Sequence, residues 1–188
     1  MKISIKDITI IAMMVAIIEV CKISLSFLPN IELTTFWLII FTIYFGRKIL
    51  CIVPVFIVIE VAIYGLQLWV VMHLFAWSLL VIITYVFKKC KSVWFWSIFS
   101  GTFGLLFGAL CTVPYVINAA FSSGLATGIN LGIAWWIAGI PFDLTHCMGN
   151  FCFMLILYKP ITNILVKYKL NCRNGLRALH YNNGETTL

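Results

Sequence analysis

Polar and ionisable side chains recur at helical spacing inside otherwise apolar stretches of this sequence. Three sets have members three or four residues apart: Glu60, Tyr64 and Gln67; Trp69, His73 and Trp77; Asp143, His146 and Asn150. Residues at this spacing lie on one face of an α-helix. Carboxylates and imidazoles on such a face could bind a cation, accept hydrogen bonds or exchange a proton, and aromatic rings could stack on a flat ligand.

Catalysis and metal binding both need more than these faces provide. Asp143 and His146 could share a proton as acid–base partners, but no nucleophile or second catalytic set accompanies them. A zinc or similar site is disfavoured because the stretch lacks H-x-x-x-H or a second nearby histidine. We therefore predict no catalytic residues, no metal and no cofactor, and expect the chain not to be an enzyme.

Composition determines which elements must carry these residues. The chain has 188 residues, of which 63% are hydrophobic and 10% charged, with a mean hydropathy of +1.07. Soluble domains are about 45–50% apolar and about 25% charged, so most of this surface must face lipid. The net charge of +7 comes from clusters between apolar runs rather than a continuous stripe, which argues against a nucleic-acid partner.

The apolar runs predict an all-α integral membrane protein, a compact bundle of six transmembrane helices in a single domain over 1–169. A span needs about 20 helical residues. We predict a loop at 118–130, a short aromatic segment at 131–138, a helix break at Gly139–Pro141 and a polar cytoplasmic tail at 170–188. The predicted spans are 8–28, 34–45 (short), 49–66, 68–87, 93–117 and 140–168.

Basic residues give this bundle an orientation. With six spans and the N terminus in the cytoplasm, every lysine and arginine except Lys22 falls on the cytoplasmic side. The three outer connections carry no lysine or arginine, which is the positive-inside pattern. We therefore predict that both termini are cytoplasmic and that the protein is a multi-pass protein of the bacterial cytoplasmic membrane.

In this topology the polar side chains converge on the outer half of the bundle, whereas the inner half is nearly pure hydrocarbon. An ionisable group near the bilayer centre costs roughly 2.5–3.5 kcal/mol, so such groups usually face a cavity or each other. A channel would need polar groups through its full depth. The pattern predicts an outward-facing cavity for a captured solute, lined by Asn30, Glu32, Glu60, Tyr64, His73, Trp77, Asn118, Trp135, Trp136, Asp143, His146 and Asn150.

Two details remain open at this stage. Glu19 and Lys22 are three residues apart, so they either neutralise each other or contribute to the cavity. Small residues recur on the first predicted helix, at Ala12 and Ala16, and on the fifth, at Ser100, Gly101, Gly104 and Gly108. Such faces let helices approach closely, so we expect packing within the bundle for the fifth helix.

The combined layout resembles the substrate-binding S component of an energy-coupling factor (ECF) transporter over about residues 5–168. The similarity includes the size, the six spans, the short second helix and the A-x-x-x-A of Ala12 and Ala16. It also includes Pro29-Asn30-Ile31-Glu32 and the stretch from Gly139 to Phe151.

The resemblance implies a division of labour. An S component captures a vitamin or related micronutrient outside, docks on a transmembrane T component through the alanine face of helix 1, and topples in the membrane to release its cargo. Two ATPase subunits supply the energy. This chain contains no G-x-x-x-x-G-K-[ST] phosphate-binding loop, as expected for a subunit that is energised by partners.

The predicted ligand is a nitrogen heterocycle with donors on its edge, such as a B-vitamin-like or modified-base compound. Lys22 could equally receive a ligand carboxylate. The alternatives are a stand-alone secondary permease, which would need a polar route to the inner side, and a non-transport membrane subunit.

Overall fold

The computed structural model describes residues 4–182, with side chains described over 4–46 and 49–168. Every regular element in this part of the chain is helical, and a helix bonds its backbone polar groups internally, as lipid surroundings require. A 3₁₀ turn, Gly46–Cys51, joins the second helix to the third. The six α-helices are α1 Ile5–Ser24, α2 Thr34–Phe45, α3 Ile52–Tyr64, α4 Trp69–Phe87, α5 Val93–Ser123 and α6 Leu125–Asn182.

Three of the described helices are long and apolar enough to cross a membrane: α4, α5 and the part of α6 up to Tyr168. This confirms a membrane protein with transmembrane helices. Thr34–Phe45 and Ile49–Tyr64 are apolar but shorter, and α1 carries four charged residues. The six-span bundle and its orientation therefore stay predictions.

The helices at 34–45 and 69–87 begin and end where the apolar runs predict, within a residue. The predicted loop at 118–130 is wrong, because α5 continues to Ser123 and α6 begins at Leu125. Gly124 alone makes the turn with φ of 92°, a conformation that glycine adopts without a steric penalty. The polar Ser122 stays helical because its hydroxyl bonds back to the carbonyl of Asn118.

The predicted break at Gly139–Pro141 is also wrong, and no separate aromatic segment exists at 131–138. Pro141 and Pro160 both lie inside one continuous helix. Helices in membrane proteins tolerate proline because neighbouring groups can satisfy the freed backbone carbonyl. The backbone of α6 also runs as helix to Asn182, through most of the predicted tail, and 183–188 lie outside the described residues.

α5 and α6 form an antiparallel hairpin whose backbones approach closely along a seam of glycines. A Cβ built on Gly104 would lie 2.9 Å from the backbone of His146, and one on Gly128 would lie 2.7 Å from the carbonyl oxygen of Val116. A Cβ on Gly101, Gly108 or Gly132 would also meet the opposite helix, chiefly at the side chains of Phe151, Asp143 and Val116 respectively. This confirms the predicted packing role of the small residues on the fifth helix.

The core surrounds α2, which contacts α1, α4, α5 and α6. Phe36, Leu38, Ile39 and Ile40 of this short helix are buried on all sides. The bundle has two different ends. One end holds the α1–α2 connection and the α3–α4 turn, and we call it the cleft end because two cavities open there. The other, the basic end, holds the 3₁₀ turn and the α4–α5 loop with Lys88, Lys89 and Lys91.

Candidate functional site

Two adjoining cavities open at the cleft end and share Lys22, Tyr64 and His73 as walls. The first, of about 260 Å³, is completed by Glu60 and Trp69. The second, of about 330 Å³, lies under the α1–α2 connection, and its other lining residues are Leu25, Ser26, Leu28, Pro29, Asn30, Ile31, Glu32, Phe107 and His146. We refer to the two cavities together as the cleft. Together the two cavities fall well within the range of about 300–1,000 Å³ that is typical of small-molecule sites.

An ion pair joins Lys22 of α1, which lines both cavities, to Glu60 of α3, which lines the first. The Glu60 side chain is 2% exposed and that of Lys22 is 24% exposed, so the pair is reached from the lysine side. The Lys22 ammonium also lies 5.6 Å from the ring centre of Phe56 and 5.5 Å from that of Tyr64. Both distances are in the range of a cation–π interaction.

Glu19 stands behind this pair and is itself buried. It interacts electrostatically with both Glu60 and Lys22. The carboxyl group of Glu19 lies beside that of Glu60, and no N–H group bonds to either oxygen of Glu19 among the described residues. Of the two sequence interpretations, simple neutralisation of Glu19 by Lys22 is therefore incomplete, since the ammonium bonds to Glu60 on another helix.

Aromatic rings form the α4 side of the cleft. The His73 ring lies 5.2 Å from that of Trp69 and 6.0 Å from that of Trp77, as expected for residues one helical turn apart. Trp77 is buried behind the cavity wall, where it packs against Phe103 and Phe107. On the face of α4 that the sequence identified, Trp69 and His73 therefore line the cavity, and Trp77 packs behind them.

The α1–α2 connection brings a second carboxylate to the cleft. Asn30 has φ of 56°, a left-handed conformation that asparagine tolerates better than most residues and that turns the chain after Pro29. Glu32 then accepts a hydrogen bond from Thr34 Oγ1 at 3.0 Å and lies with Oε1 3.7 Å from His146 Nε2. His146 packs edge-to-face on Phe107, with ring centres 5.0 Å apart.

Asp143 and Asn150, predicted to line the same cavity, lie instead in the α5–α6 seam. Asp143 Oδ1 accepts from the backbone N–H of Gly108 at 2.9 Å. The Asn150 side-chain amide donates to Thr35 Oγ1 at 3.2 Å and to the Ser100 carbonyl oxygen at 3.4 Å, and the backbone carbonyl of Asn150 accepts from the Ser100 hydroxyl. These contacts hold helices together. A direct contact with ligand by either residue stays a prediction.

Asn118, Trp135 and Trp136 lie on the part of the hairpin beyond the cleft and line neither cavity. Trp135 stacks on Tyr115 with ring centres 4.8 Å apart. Trp136 borders a separate cavity of about 250 Å³ between α5 and α6, and Asn118 is exposed. The structure therefore brings six of the predicted residues to the cleft: Asn30, Glu32, Glu60, Tyr64, His73 and His146.

The predicted set omitted eight residues that line the cleft: Lys22, Trp69, Phe107 and, in the α1–α2 connection, Leu25, Ser26, Leu28, Pro29 and Ile31. Trp69 carried a signal, since it precedes His73 by one helical turn. Phe107 carried none, because nothing distinguishes it in sequence from the other phenylalanines of the spans. No group of three or more histidine, cysteine or carboxylate side chains able to hold a metal occurs within 4–46 and 49–168.

Ala12 and Ala16 are exposed on the surface of α1, away from the core. The neighbouring Ile8 and Met13 are 59% and 61% exposed, so this strip of α1 is uncovered and apolar. No family model, curated protein or solved structure matches this chain. Its function must therefore be argued from the cleft and the helix surfaces.

Proposed function

We propose that this chain is the substrate-capturing S component of an ECF-type importer, which binds a vitamin-like or nitrogen-heterocyclic micronutrient in the cleft. The observation that carries the proposal is the asymmetry of the bundle. Charged, imidazole and aromatic side chains meet around the cleft, whereas the core of the opposite half is packed mainly with buried apolar residues such as Ile52, Val53 and Leu80. Such an arrangement favours capture from one side over conduction through the molecule.

The proposal includes six spans in the bacterial cytoplasmic membrane, with both termini in the cytoplasm. The basic end then faces inward, because Lys88, Lys89 and Lys91 cluster there. The cleft faces outward, where a nutrient at low concentration would be met. The closed inner half also argues against the permease alternative, since a permease needs a polar route or coupling-ion site reaching that side.

Transport requires an energy source from partners, since the sequence has no phosphate-binding loop. The proposed partners are a T component and two ATPase subunits. The exposed Ala12 and Ala16 support a docking role, because small residues let a partner helix approach the backbone of α1 closely. Both alanines are exposed and neither lines a cavity of the cleft, so the docking face and the cleft are separate.

This separation gives the test. Ala12→Leu and Ala16→Leu should abolish co-purification with a co-expressed T component and ATPases, because each leucine holds the partner backbone away from α1. The same variants should retain the small molecule that native mass spectrometry detects on the wild-type chain. Ala126→Leu, at another exposed alanine, is the matched control and should change neither readout.

Two outcomes would contradict the proposal. Undiminished co-purification of the leucine variants would remove the docking role of α1. A wild-type chain that carries no small molecule after growth in rich medium, and that binds no partner, would favour the non-transport membrane subunit.

A further inference from the structure

The Lys22 ammonium occupies a site built for a cation. It is bonded to the Glu60 carboxylate and lies over the rings of Phe56 and Tyr64. A carboxylate flanked by aromatic faces is the arrangement by which proteins bind amines and other organic cations. The ammonium that fills it belongs to a flexible four-carbon side chain that is 24% exposed and borders both cavities, so it can leave without rearranging a helix.

The charges around this site favour a second cation. Three carboxylates lie at or behind the cleft, those of Glu19, Glu32 and Glu60, and Lys22 is the only lysine or arginine lining it among the described side chains. The remaining oxygen of Glu60 has no hydrogen-bond partner there, although the residue is 2% exposed and borders the cavity. Buried carboxylates without a donor are costly, so the site retains the capacity to bind positive charge.

The displaced lysine has another carboxylate within reach. Glu19 is one helical turn before Lys22 on α1, its carboxyl group lies beside that of Glu60, and no N–H group bonds to either of its oxygens in the described part of the chain. If an incoming cation bound Glu60 and the Lys22 ammonium turned toward Glu19, each of the two acids would be paired with a positive charge. An incoming anion would instead draw Lys22 away from Glu60 and leave a buried charge uncompensated, which is strongly unfavourable.

We propose that the ligand of this cleft is an organic cation whose charged group displaces Lys22 from Glu60, while its apolar body lies against Tyr64, Trp69 and His73. This inference rests on the proposed capture function and adds the charge of the cargo. A ring-bearing amine or amidine fits these walls, because its planar part can stack on the indole and imidazole rings.

Three probes of nearly equal size separate the charge classes: benzamidine, a cation; benzamide, neutral; and benzoate, an anion. Each is titrated into the full chain in nanodiscs of zwitterionic lipid, with empty discs subtracted, and binding is followed by tryptophan fluorescence, to which Trp69 in the cleft wall should respond. We expect benzamidine to bind at least about tenfold more tightly than either of the others. Glu60→Gln, which keeps the shape of the side chain, should abolish this preference.

Lys22→Met provides a second readout that a structural role of the ion pair does not predict. Removal of the competing ammonium should tighten benzamidine binding severalfold, whereas Lys91→Met, the same change at an exposed lysine of the basic end, should leave it unchanged. Weaker benzamidine binding in Lys22→Met would overturn the displacement.

The outcomes distinguish this inference from the capture function. Benzamide or benzoate binding as tightly as benzamidine would overturn the cationic class and leave capture intact. The absence of binding by all three probes, together with an empty chain in native mass spectrometry, would overturn both.

Discussion

Asn150 lies in the middle of the α5–α6 seam and connects three helices. Its side-chain amide bonds to Thr35 of α2 and Ser100 of α5, and it is 1% exposed. Asn150→Ala leaves the Thr35 hydroxyl and the Ser100 carbonyl without that donor, at a cost of about 1–3 kcal/mol in stability. We expect a lower midpoint of thermal unfolding in detergent, measured by circular dichroism, with ligand retention unchanged below that midpoint.

Asn118→Ala is the matched control, because Asn118 is exposed on the hairpin. Its unfolding midpoint should equal that of the wild type. If Asn150→Ala unfolded normally but lost the retained small molecule, Asn150 would be a ligand contact, as the sequence predicts, rather than a structural one.

These residues also show the limit of predicting a site by depth. The sequence placed polar groups at one level of the bundle, and Glu60, His73 and His146 do meet there. Depth alone does not say which way a helical face points. Asp143 lies three residues before His146, yet it turns to the Gly108 N–H while His146 borders the cleft. Which side chain faces the cleft depends on how the helices pack, and the spacing of residues within a single helix does not specify that packing.

The close approach of α5 and α6 in the hairpin depends on glycine. Gly104 has no room for a methyl group, since its Cβ would lie 2.9 Å from both the carbonyl carbon and the carbonyl oxygen of His146. Gly104→Ala must therefore separate the two helices, and we expect a loss of about 1–3 kcal/mol in stability. The measurement is the midpoint of unfolding by heat or denaturant in detergent.

Gly139→Ala is the control within the same hairpin, because nothing lies within 4 Å of its Cβ position. Alanine is favoured over glycine in a helix by about 1 kcal/mol, so this variant should be neutral or slightly more stable. Equal destabilisation by both changes would mean that helix propensity, and not the close approach of α5 and α6, governs the hairpin.

The helices differ in how well they could be predicted from sequence. Runs of apolar residues bounded by Pro29, Gly46 and the lysines after Phe87 predicted α2 and α4 nearly to the residue. The loop predicted at 118–130 and the break predicted at Gly139–Pro141 both followed from serine, glycine and proline, which disfavour helices in water. In the hairpin, the serine hydroxyls bond to backbone carbonyls, and Gly128 and Gly132 are required by the opposite helix. Tertiary packing therefore overrides the local preference.

The length of the hairpin constrains how the whole molecule sits in a membrane. α5 has 31 residues, about 46 Å of helix, whereas the hydrocarbon core of a bilayer is about 30 Å thick. One end of α5 must therefore leave the hydrocarbon. The basic residues next to Val93 favour the cytoplasmic interface for the first end of α5. The other end, with the turn at Gly124, should therefore project from the membrane on the opposite side.

An epitope tag inserted at Gly124 should then be reached by antibody on intact spheroplasts. The same tag inserted between Lys89 and Cys90 should be reached only after the membrane is permeabilised. Both sites lie in turns, so the insertions should not interrupt a helix. If the second tag were labelled on intact spheroplasts and the first were protected, the orientation would be the opposite of the one proposed. The cleft would then open to the cytoplasm, and the proposal of nutrient capture would fail, because a cytoplasmic cleft cannot meet a solute that has not yet entered.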